Sequence, residues 1–172
     1  MVSNFIKILI FLLFLPVSQT FADEIWAEHF YTPDKGVWGS NDGVSIVSDF
    51  SGISSWSLDF QNIALANPAD YARTVSTGGG RFEVCDIEGV AIWRSEWISI
   101  RNFKEVALRL AANETGSGAN SEAKYLKAFY RIDGKEETLF ETSGNNSGNW
   151  GSATAIQTGL SGDSLQIVVY LA

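Results

Sequence analysis

The chain has 172 residues, with 12 basic and 20 acidic side chains, a formal net charge of −8, one histidine and one cysteine. Acidity of this degree disfavours nucleic acid and anionic membrane surfaces as partners and suits solubility, neutral ligands or divalent cations. A lone cysteine closes no intramolecular disulfide, and one histidine with one cysteine falls short of the donor set of an ordinary zinc site.

In chain order, Lys7 precedes an apolar run from Ile8 to Leu15, followed by Pro16 and the polar residues Ser18, Gln19 and Thr20. The run is shorter than the roughly 20 apolar residues that span a bilayer, so residues 1–22 are expected to be a cleaved secretory signal and not a membrane insertion. Ala22 at the cleavage position and Thr20 two residues before it fit that processing. The segment carries Lys7 as its one charged side chain, so its removal leaves a net charge of −9. Export implies a secreted or cell-surface location.

Residues 23–172 are expected to form one domain, because no Pro-rich or Ser-rich connector and no internal repeat divides them. Apolar and polar residues alternate over short runs, which is the two-residue rhythm of half-buried strands. Trp56, Leu58 and Phe60 alternate with Ser55, Ser57 and Asp59; Val106, Leu108 and Leu110 alternate with Ala107 and Arg109; Leu165, Ile167, Val169 and Leu171 mark a third case. Further strands are predicted near Ile25 to Phe30, Val44 to Asp49, Tyr71 to Ser76, Arg81 to Ile87, Glu96 to Ile100, Tyr125 to Ile132, Glu136 to Glu141 and Ala153 to Thr158. Turn clusters such as Gly78-Gly79-Gly80 and Ser161-Gly162-Asp163 separate them. Asp133-Gly134 between two such runs predicts a tight primed hairpin. The fold class expected is all-β: an antiparallel two-sheet β-sandwich of jelly-roll-like form.

Candidate chemistry is sparse. His29, beside the start of the domain, has a strand context and no partners for a catalytic set. Cys85 is expected to be a small buried hydrophobe. Phe82 to Gly89 carries Glu83, Asp86 and Glu88, and superficially resembles the E-x-D-x-E strand of laminarinase-type glycoside hydrolases. Here the spacing puts Glu83 on the opposite strand face from Asp86 and Glu88, which separates the pair that retaining chemistry holds about 5–5.5 Å apart. Asp42, Asp133 and Asp163 offer oxygen ligands near turns, without the spacing of a calcium loop.

Six tryptophans are more informative. Most should be core, since burying an aromatic side chain removes about 150–250 Å² from water. Trp38 and Trp150 differ, sitting among Gly, Ser and Asn, where a ring at a loop or sheet margin can stack on a sugar.

Several ordered segments resemble β-sandwich domains of secreted and surface proteins of Bacteroidota-type bacteria, with the general look of jelly-roll, concanavalin-like and carbohydrate-binding modules. They are Trp26 to Phe30, Arg81-Phe82-Glu83, Ala91 to Glu96, Tyr125 to Gly134, Leu139-Phe140 and Gly162 to Ile167. The resemblance implies a non-catalytic secreted module, not an enzyme, that binds polysaccharide or glycan, with Trp38, Trp93, Trp150 and Tyr125 as ligand-binding residues. It also implies a structural calcium near the N-terminal glutamate, which places that metal at Glu28; no other cofactor is implied. A structural or adhesive domain working beside other domains of a cell-surface assembly is the alternative, and a glycoside hydrolase is a more distant one.

Overall fold

Most of the period-two alternation becomes strand, with no helix among the described residues, which in this computed structural model are 23–41, 46–47, 50–113, 125–139 and 152–172. The strands are β1 (Gly36–Trp38), β2 (Ile46–Val47), β3 (Trp56–Ala64), β4 (Tyr71–Val75), β5 (Arg81–Cys85), β6 (Glu88–Ser95), β7 (Ile98–Ser99), β8 (Val106–Asn113), β9 (Leu126–Ile132), β10 (Thr138–Leu139), β11 (Ser152–Leu160) and β12 (Ser164–Leu171). The expected signal, residues 1–22, lies outside the described residues.

One layer is a six-stranded sheet ordered β10-β9-β12-β6-β3, with β7 pairing the start of β12. Register assigns its faces. Leu58 of β3 lies opposite Trp93 of β6, Trp93 opposite Val169 of β12, and Val169 opposite Ala128 of β9. These residues therefore share one face, and that face is the core.

The second layer covers the same face in two pieces. The ribbon β8–β11 contributes Val106, Leu108, Ala155 and Leu160 to a cluster with Trp56, Trp93, Ile167 and Val169. The four-stranded sheet β2-β1-β4-β5 sets Val37 and Ala72 against Ala91, with Phe60, Phe82 and Val84 packed around them. All the strand pairings among the described residues are antiparallel and the sheets do not close into a barrel, so the chain is an all-β sandwich whose second layer is divided.

Residues 23–35 connect the layers. The predicted strand at Ile25 to Phe30 does not form; the segment crosses from one layer to the other. At its start Trp26 Nε1 donates to Glu96 at 2.9 Å, and Ser55 Oγ donates to Glu28 at 2.6 Å, which ties the segment to the ends of β3 and β6. At its end Asp34 N donates to Thr74 O, and Thr74 N to Lys35 O, which ties it to β4. Between these anchors Phe30 adopts a positive φ of 54° and packs its ring 5.7 Å from Trp93 and 6.1 Å from both Trp56 and Phe82. Gly80 makes room for that crossing, since any Cβ there would overlap the His29 carbonyl oxygen.

Two further details follow from local chemistry. The Asp133-Gly134 hairpin forms as predicted, with φ of 53° and 71° and Lys135 N donating to Ile132 O. At the other end of the sheet, β6 stops at Ser95 and β7 resumes at Ile98, while β12 runs past the gap. Ser95 Oγ accepts from Ile167 N at 2.9 Å and so replaces the missing ladder acceptor. Gln166 Nε2 donates to Ser95 O beside it.

Candidate functional site

The four-stranded sheet turns Val37, Ala72 and Thr74 inward, each nearly fully buried. Alternation therefore sends Trp38, Tyr71, Arg73, Glu83 and Cys85 to its outer face. Arg73 binds this surface together. Its guanidinium carbon lies 4.9 Å from the Tyr71 ring centroid and 5.4 Å from that of Trp38, and its Nη1 is 3.3 Å from Asp34 Oδ1. Its sheltered Nε has no hydrogen-bond partner.

Glu83 completes the row. Tyr71 donates its phenolic proton to one carboxylate oxygen, and Arg81 grips the other at 2.6 Å. That hydrogen bond to Glu83, with burial as a smaller cause, pushes the Tyr71 hydroxyl up to about 12. The phenol is therefore a fixed neutral donor at ordinary pH.

Beside the rings opens a cleft of about 410 Å³ lined by Ala64, Leu65, Ala66, Asn67, Asp70, Asp86 and Glu88. It adjoins them through the backbone: Gly39 N donates to Asp70 O, and Tyr71 lies opposite Cys85, the residue before Asp86. Asp70 is buried and shapes the cleft, accepting from Ala66 N at 2.6 Å, Asn67 N at 3.1 Å and Asn67 Nδ2 at 3.1 Å. Asp86 and Glu88 are exposed and face the opening. Rings on the sheet face and an amide with carboxylates in the neighbouring cleft can do one kind of chemistry together: stack on the apolar face of a polar ligand while accepting hydrogen bonds from its edge.

The residues singled out in the sequence scatter. Trp38 is in this site. Trp93 is not: it is 5% exposed, and its ring packs against Phe30 and Trp56 at 5.7 and 6.4 Å, so it offers no surface to a ligand. The expectation failed because β6 carries apolar residues on both faces, and a ring's neighbours in sequence do not say which face is covered. Tyr125 lies on the outer face of the other sheet, with Lys127 Nζ 4.2 Å from its ring centroid. Trp150 falls outside the described residues.

Glu28 spends both carboxylate oxygens on protein donors, Phe30 N and Ser55 Oγ, each at 2.6 Å. Among the described residues no group of three or more His, Cys, Asp or Glu side chains is placed to hold a metal ion. Calcium takes six to eight oxygens, so the surroundings of Glu28 do not fit the expected ion.

Glu83, Asp86 and Glu88 do not share one strand. Glu83 is on β5, Asp86 sits in a turn with φ of 46°, and Glu88 begins β6 in the other layer. Cys85 is exposed, not buried as expected, because β5 turns it to the outer face. Partial desolvation of the sulfur first, and then the charges of Asp86, Glu83 and Asp70, push its thiol up, which favours the protonated form. His29 is exposed and stacks on Tyr31 at 5.3 Å.

Tyr71, Arg73, Asn67 and Asp70 were missed. The alternation Tyr71-Ala72-Arg73-Thr74-Val75 already puts the ring and the cation on one face, and its position opposite Trp38 was the information the sequence lacked. No protein-family model, no curated protein and no solved structure matches the chain.

Proposed function

We propose that the chain is a secreted, non-catalytic module that binds carbohydrate through the outer face of the four-stranded sheet. The observation that carries this is the pair Trp38 and Tyr71, braced by Arg73, beside a cleft edged by Asn67, Asp86 and Glu88. A sugar presents an apolar CH face and a rim of hydroxyls, and rings with adjacent amide and carboxylate acceptors complement both. Glu83 favours binding over catalysis, since Tyr71 and Arg81 occupy both of its oxygens.

A glycan array of neutral polysaccharides, run with and without calcium, tests the proposal. Retention of at least one glycan, lost in Trp38→Ala with the fold intact, is the expected result. An array with no hit in either condition would sink it.

A further inference from the structure

The outer face of the six-stranded sheet is built from a different set of side chains. Register places Lys127 opposite Tyr170, Phe129 opposite Val168, and Arg131 opposite Gln166, all pointing away from the core. Tyr125 extends the row by exchanging backbone hydrogen bonds with Ala172 at 3.1 and 2.9 Å. Along this one strand the outward order is ring, cation, ring, cation, at about 6.8 Å per step.

The gap between β6 and β7 adds a further ring at the end of the row. Trp97 sits in that gap, 43% exposed, with the Arg131 guanidinium carbon 5.3 Å from its ring centroid. Beneath these groups Ile92 and Val168, at 1% and 0% exposure, make a dry floor. Phe129 and Tyr170 pack edge to face at 5.4 Å, and Tyr170 donates to Glu137 at 3.0 Å, so the rings are held in place.

Charge distinguishes this face from the acidic cleft. Arg94 is neutralised by Asp59 at 3.6 Å, but among the described residues no carboxylate lies within ion-pair distance of Lys127 or Arg131. Arg131 is oriented by neutral acceptors: Lys135 O at 3.0 Å, Gln166 Oε1 at 3.2 Å and Gly134 O at 3.4 Å. Those bonds use three of the five guanidinium N–H groups and leave two for a ligand. A preorganised cation costs little entropy to engage.

We propose that this face is a second binding surface, for an acidic polysaccharide. A uronate polymer repeats a flat CH-rich ring and a carboxylate, which matches alternating rings and cations that make no ion pair among the described residues, strung along a strand. An acidic peptide matches the cations alone. The inference rests on the carbohydrate reading for its class of ligand but uses none of the residues of the Trp38 site.

Affinity electrophoresis or calorimetry on the intact protein tests it with polygalacturonate, a neutral glucan and polyglutamate. The expected result is retention by polygalacturonate that fades as salt rises through about 0.15 M, and weakens roughly tenfold in Lys127→Gln. Arg131→Gln should act the same way where its melting temperature shows that it still folds. Four outcomes overturn the proposal: no retention by polygalacturonate at low salt, equal retention by polyglutamate, unchanged retention in Lys127→Gln, or loss of polygalacturonate retention in Trp38→Ala. Failure of the Trp38 site shows independently, as absence of neutral-glycan binding by the unsubstituted protein.

Discussion

Aromatic side chains occupy two regions of this molecule in opposite company. Inside, Phe30, Phe50, Trp56, Phe82 and Trp93 meet one another, edge to face or tilted, at centroid distances from 5.7 to 6.4 Å. Outside, Trp38 and Tyr71 share Arg73, Tyr125 meets Lys127, and Trp97 meets Arg131. Ring-on-ring contact in a dry interior adds stability beyond area, by about 0.5–1.5 kcal/mol per pair. Cation-on-ring contact at a wet surface contributes less to the fold and keeps a charge where a ligand can meet it. The same residue type therefore packs against other rings in one region and against cations in the other, and its neighbours decide which.

The sharpest way to break this contrast is to truncate one ring from each region. Phe30→Ala opens a cavity among three rings and releases the segment that joins the layers, so a loss of about 3–5 kcal/mol is expected in denaturant unfolding. Trp38→Ala, partly exposed already, should cost under about 1.5 kcal/mol, and equal losses from the two would dissolve the distinction. A smaller effect belongs to the boundary between regions, where Ser95 lets β6 end and Trp97 swing outward. Ser95→Ala leaves the buried Ile167 N–H without an acceptor, and a loss of about 1–3 kcal/mol is expected by thermal or chemical denaturation. A loss near zero would mean that another group takes over the bond.

The mildest test sharpens the outer region alone. The hydrogen bond to Glu83 raises the Tyr71 hydroxyl from 10.0 to about 12. Because the folded state holds this proton more tightly than the unfolded chain, the resulting stability is intact below pH 10 and disappears as pH climbs toward 12. In Glu83→Gln the tyrosinate absorbance of Tyr71 should appear at lower pH. An unshifted titration would show that Glu83 does not hold the proton.

Period-two alternation made β3, β4, β8, β9 and β12 legible in the sequence, along with the Asp133-Gly134 turn. The central strand β6 was not, since Val90-Ala91-Ile92-Trp93 is apolar without interruption, as befits a strand with few exposed side chains on either face. Ile25 to Phe30 showed the reverse problem: a strand-like pattern arose from anchoring residues of a crossing segment. For the candidate site, Trp38 was readable from its small polar neighbours. Arg73, Tyr71 and the Asp70 cleft were not, because only pairing between β1 and β4 and the turn at Asn67 bring them together.

The position of β12 between β9 and β6 has a consequence for how the chain reaches this state. A polypeptide made from its N-terminus holds β3–β6 and β9–β10 as separate pieces, each with an open hydrogen-bonding edge, until residues 164–171 arrive to join them. Completion of the six-stranded sheet thus waits for nearly all of these elements, with β12 as the strand that joins the two pieces through non-local pairing.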